Sequence, residues 1–190
     1  MTRVRRLSSL AACVTAFVAL AALPAQAKTA DPEQWGATFC GSLSKWSDTV
    51  TEGASEIQSS VKPGTTITPT AGKAIIVGFL GDFVDTTHTF YTSMKKAGNP
   101  DTDNGAKIQK EILKGIGGIE SRVGDIQGLA TALPTTDPVA FQTSVSALTA
   151  AFDTVSTPFD SAMSKVAVLD KDNDLSDSLS KVKSCKALFG

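Results

Sequence analysis

Residues 101–134, DTDNGAKIQKEILKGIGGIESRVGDIQGLATALP, place Ile108, Ile112, Ile116, Ile119, Val123, Ile126 and Leu133 at steps of three, four and seven. That spacing keeps one side of an α-helix apolar for about thirty residues, and at 1.5 Å per residue the rod would reach ~45 Å. Asp101 or Asp103 is the expected cap and Leu133-Pro134 the expected stop. An apolar stripe of this length needs neighbours with matching stripes to leave water.

The flanking sequence supplies them. Upstream, Asp31-Pro32 reads as an N-cap followed by proline in the first turn, and Trp35, Phe39, Leu43, Trp46, Val50, Ile57 and Val61 continue a helical period to a stop at Lys62-Pro63-Gly64. Thr65 to Thr68 form a short polar linker, and Pro69 opens a second helix carrying Ile76, Phe79, Leu80, Phe83, Phe90, Tyr91 and Met94 to Gly98-Asn99-Pro100. Downstream, Asp137-Pro138 repeats the cap-proline start for a fourth helix with Phe141, Val145, Leu148, Phe152, Val155, Phe159, Met163 and Val166. Pro158 is expected to kink or split it, because proline has no amide to donate and clashes with the preceding turn. A polar turn, Asp170 to Asp174, leads to a short helix with Leu175, Leu179, Val182 and Leu188.

No alternating strand pattern and no fixed repeat period stand out. The sequence therefore predicts an all-α fold: an antiparallel up-down bundle of four long helices plus a short C-terminal helix.

Residues 1–27, MTRVRRLSSLAACVTAFVALAALPAQA, read as a secretory signal peptide, with Arg3, Arg5 and Arg6 before an apolar run from Val14 to Leu23 and a cut after Ala27. The run is shorter than the ~20 residues of a membrane span. Leu10-Ala11-Ala12-Cys13 has the shape of a lipoprotein box, but most of the apolar run lies after Cys13, where cleavage would leave it on the processed chain. The expected product is one domain, residues 28–190, secreted or held in the cell envelope with no membrane span.

Processing removes three arginines and no acid, so fifteen cations face nineteen acids and the net charge becomes −4. Arg122 is then the only arginine, which argues against nucleic-acid binding, where bidentate arginine contacts dominate. Only Cys40 and Cys185 remain, in a compartment that permits disulfides, and they are expected to pair. A bridge closing so long a loop is worth roughly 5 kcal/mol in the chain-entropy model.

Chemistry-bearing patterns are scarce. His88 is the sole histidine, and the chain lacks Cys-x-x-Cys, Gly-x-Ser-x-Gly and a phosphate-binding glycine loop, so no catalytic role, metal or cofactor is assigned. Asp170-Lys171-Asp172-Asn173-Asp174 resembles the start of a calcium loop, but Leu175 stands where glycine is needed and Lys181 where a bidentate glutamate belongs. A helix-capping turn is the simpler reading. Thr65, Thr66, Thr68 and Thr70, interleaved with Pro63 and Pro69, read as a loop rather than a glycosylated stalk.

Two weaker sites stand out. His88, at the edge of the second helix's apolar arc, lies one turn from Asp85 and from Tyr91; the plain reading is a histidine bonded to Asp85 or water, and the sharper one has His88 and Tyr91 flanking a haem or hydrophobic-ligand pocket in the bundle core. Gly117, Ser121, Gly124 and Gly128 form a small-residue stripe on the third helix, a candidate face for a protein partner or self-association. The expected function is that of a secreted, non-catalytic bundle acting through protein interaction, with carriage of an apolar ligand or haem in the bundle core as the alternative.

Overall fold

A computed structural model describes residues 28–60 and 67–189. The signal segment 1–27 with Cys13, and Val61, Lys62-Pro63-Gly64, Thr65 and Thr66, lie outside the described residues.

The helices are α1 (Pro32–Ser60), α2 (Pro69–Ala97), α3 (Gly105–Thr131), α4 (Pro138–Phe152), α5 (Thr157–Leu169), α6 (Asp174–Leu179) and α7 (Lys183–Phe189). The cap-proline starts form as the residues dictate. Asp31 Oδ1 accepts the amides of Glu33 and Gln34, Asp137 Oδ1 those of Val139 and Ala140, and Thr68 Oγ1 that of Ala71. In each case a side-chain oxygen satisfies amides that have no partner within the helix.

Contacts at the helix ends fix the up-down arrangement. Lys73, near the start of α2, donates from Nζ to Thr131 O and Leu133 O at the end of α3. Asn104, just before α3, donates from Nδ2 to Leu169 O at the end of α5. The fold class is the expected all-α bundle.

The core has two levels. One gathers Trp35, Phe39, Phe90, Met94, Ile108, Ile112, Ile116, Val166 and Leu175; the other gathers Ile76, Leu80, Phe83, Ile119, Val123, Ile126, Leu133, Leu148 and Val155. Every apolar residue expected on the third helix is buried. Aromatic rings fill both levels: Trp35 stacks on Phe39 with centroids 5.4 Å apart, Phe39 meets Phe90 at 6.0 Å, and Phe83 meets Trp46 at 5.4 Å and Phe152 at 5.6 Å.

Cys40 and Cys185 are bonded, with Cα atoms 5.0 Å apart. The bridge clamps α7 to α1, while Leu179 of α6 lies over Gly36 of the same helix. Among the described residues no helix is long and apolar enough to cross a membrane.

Three details depart from the sequence reading. Thr29–Ala30 (β1) pairs in parallel with Asn99–Pro100 (β2), and Asn99 N to Lys28 O and Asp101 N to Ala30 O, both 2.8 Å, extend the ladder. Two residues per strand leave no alternation to detect. Gly98 makes the pairing feasible, because its φ is +82° and a Cβ there would collide with Lys28 O.

The second departure is the cap of α3, which is neither Asp101 nor Asp103 but Asn104, with no side-chain capping bond. The amide of Asp101 is drawn into the strand ladder, so the helix starts later. The split expected from Pro158 is present: the long fourth helix breaks at Asp153–Ser156, leaving the proline in the first turn of α5, where its missing amide costs nothing. Val155 is buried in that break, and Arg122 donates from Nη1 to Thr154 O at 2.7 Å. Last, the short C-terminal helix is two helices, α6 and α7, separated by a turn at Ser180–Val182.

Candidate functional site

Among the described residues an apolar groove lies at the end of the bundle where α2 and α4 begin. It is partly open, holds about 360 Å³ and is walled by Ile57 of α1, Ile67 and Pro69 at the entry to α2, Ile75 and Ile76 on α2, and Pro138, Phe141 and Val145 on α4. Gln142 and Ser146, also on α4, are its polar members. The volume falls at the low end of the roughly 300–1,000 Å³ typical of small-molecule sites.

The local sequence explains the groove. Thr68 and Asp137 start α2 and α4 by capping. Gly72 then lets Phe141 close one end, since a Cβ at Gly72 would stand 2.9 Å from the Phe141 ring. Between the two acids that bracket it, Asp137 and Asp153, α4 has no charged residue at all. Only Leu148 of its fifteen residues is buried, and Val139 is 77% exposed. A neutral helix that buries so little of its apolar surface is unusual in a water-facing bundle, where the outward side of a helix is normally charged. Phe141 and Val145, expected on the apolar side of the fourth helix, do pack against the second core level while also walling the groove.

The residues singled out from sequence fare differently. His88 points outward, 62% exposed, and its Nδ1 lies 2.7 Å from Glu120 Oε1 on α3. Its protein partner is therefore not Asp85 but a carboxylate on the neighbouring helix. No serine or threonine hydroxyl is bonded to its ring among the described residues, and it does not line the groove. Tyr91 is half-buried beside Gly117, whose added Cβ would sit 3.6 Å from the Tyr91 ring. The two residues do not flank a core pocket, because the space between the helices at that level is taken by Phe39, Phe90 and Met94.

The small-residue stripe on α3 divides. Gly117 faces Tyr91, whereas Gly124 and Gly128 have open space where a Cβ would go. The close helix approach is made by two other glycines. A Cβ at Gly115 would lie 2.7 Å from that of Ala162 and 3.3 Å from Phe159 Cα, and one at Gly118 would lie 2.6 Å from Pro158 Cβ. The stripe read from sequence thus missed the glycines that seat α5.

Asp170 behaves as a cap: its Oδ1 and Oδ2 accept the amides of Leu175 and Ser176, both at 2.9 Å. Carboxylates also line the polar clefts between α1 and α2, where Asp48, Glu52, Asp82 and Asp85 sit. Among the described residues no three His, Cys, Asp or Glu side chains converge as a metal site would require. Compared with known proteins, the chain matches no family model, no curated protein and no solved structure.

Proposed function

We propose that the processed chain is an extracytoplasmic, non-catalytic binding protein whose working site is the apolar groove between α2 and α4. The observation that carries this reading is the charge-free α4, which holds Phe141 and Val145 over Ile75 and Ile76 across open apolar space. Phe141 and Val145 pack on one side against the core and are only half-buried, which leaves part of their burial for a ligand to complete. The disulfide and the N-terminal segment fit an oxidising compartment. The ligand site is thus moved from the bundle core, which is filled with rings, to the bundle's end. A protein partner on α3 has less in its favour: Gly124 and Gly128 are open, but no other feature accompanies them.

Titrating the processed protein with the neutral fluorophore N-phenyl-1-naphthylamine tests this. Saturable enhancement is expected, lost in Val145→Trp, which fills the groove, and retained in His88→Ala. Absence of saturable binding, or binding that Val145→Trp leaves intact, overturns the reading.

A further inference from the structure

We propose that Asn104–Gly105 is a site of spontaneous deamidation whose reactivity is controlled by the docking of α5 on α3. Of the asparagines in the chain, Asn104 alone precedes a glycine. In an unfolded chain this pair is chemically labile, because glycine leaves its amide nitrogen unshielded and lets the backbone turn freely. The Gly105 nitrogen loses its proton and attacks Asn104 Cγ, ammonia leaves, and a five-membered succinimide forms. Water then opens the ring at either carbonyl, giving aspartate or, with one more carbon in the main chain, isoaspartate. Water is the only co-reactant, and nothing is oxidised or reduced.

The fold holds each participant out of this reaction. Closure needs Asn104 Cβ and Gly105 N eclipsed about the Cα–C bond, and a ψ of 15° at Asn104 turns them away from each other. The Gly105 amide donates to Thr102 O at 2.9 Å, and Asn104 O accepts the amides of Lys107 and Ile108, both at 2.9 Å, which fixes that ψ. The carboxamide is tethered as well: Nδ2 donates to Leu169 O at 2.9 Å, and Oδ1 accepts from Lys107 Nζ at 3.4 Å. Gly105 is required for packing, since a Cβ there would collide with Pro100 O. The labile pair is thus kept by the fold and quieted by it.

Of these restraints the bond to Leu169 is the one made by a distant element. Gly115 and Gly118 seat α5 on α3, and the end of α5 carries the Leu169 carbonyl. When that end lifts, the carboxamide is released, and the first turn of α3, which has no side-chain capping bond, can open into the reactive geometry. The change is one-way. Both products carry a carboxylate in place of the Nδ2 donor, beside Asp103, Asp170, Asp172 and Asp174, so the tie to Leu169 O cannot re-form.

The test incubates the processed protein, bridge intact, at mildly alkaline pH in the native state and in urea, and follows aspartate and isoaspartate at position 104 by peptide mass mapping. The native rate is expected to be at least about tenfold below the unfolded rate. Gly115→Ala, which crowds α5 off α3, is expected to raise the native rate by about threefold or more at a temperature where its helical circular dichroism matches that of the native protein. Gly124→Ala, whose Cβ meets open space, is expected to leave it unchanged. Equal rates in the native and unfolded protein overturn the protection. A native rate that Gly115→Ala leaves unchanged overturns the part assigned to α5. No modification at position 104 in the unfolded chain overturns the site itself.

Discussion

The indole Nε1 of Trp35 donates to Gln109 Oε1 at 2.8 Å, and both side chains are buried. Gln109 Nε2 in turn donates to Met94 O at 2.6 Å, and the same indole reaches Gly98 O at 3.1 Å. One glutamine thus ties α1 to α3 and to the last turn of α2, beside the two-residue strand pair. A buried amide with donor and acceptor both engaged is stabilising, and the same amide left half-satisfied is costly.

Gln109→Leu is therefore expected to lower stability by about 1–3 kcal/mol, since Met94 O and the Trp35 indole lose a partner while the shape is nearly kept. The urea midpoint reads this directly. A midpoint within error of the native protein would mean that the bridge contributes nothing.

Alanine at two sets of glycines on α3 should act in opposite directions. Gly115→Ala and Gly118→Ala place a Cβ against Ala162, the Phe159 backbone and the rigid Pro158 ring, and each is expected to cost about 1–3 kcal/mol. Gly124→Ala meets open space and should stabilise by up to ~1 kcal/mol through helix propensity. Thermal denaturation of the three variants compares them; a shared sign would contradict the close approach of α5 to α3.

Removing the bridge with Cys40→Ser and Cys185→Ser together should cost about 2–5 kcal/mol. The loss should be uneven. The bridge holds α7 against α1, so amide hydrogen exchange is expected to rise first in α6 and α7 while α2 and α3 keep their protection. A uniform rise across the chain would mean that the clamp is not local.

His88→Ala should change stability by less than about 1 kcal/mol, because the pair with Glu120 is solvent-exposed. Adding haem to the native protein should produce no Soret shift that depends on His88, whose level of the bundle is packed with Phe39, Phe90 and Met94. A His88-dependent shift would return the ligand site to the core.

The helical character, the positions of three helix starts and the α3 stripe were legible in the sequence because each is a local property. A cap needs only residues two or three apart, as Asp31, Thr68 and Asp137 show, and an apolar period records which side of a rod avoids water, as Ile108 to Ile126 show. The pairing of Cys40 with Cys185 was legible once residues 1–27, which carry Cys13, were read as a signal segment. Tertiary structure decided the rest. Which glycine receives a neighbour depends on the height at which α5 crosses α3, and helical spacing carries no information about height: Gly115 and Gly118 are seats, whereas Gly124 and Gly128 are open. The position of the break before Pro158, the Trp35–Gln109 bridge and the Glu120 partner of His88 all require residues far apart in sequence to meet. The groove belongs with them, since an apolar stripe says that a face seeks burial, and only the packed bundle shows which of its side chains, Leu148 here, are fully buried and which, like Phe141 and Val145, also line a groove.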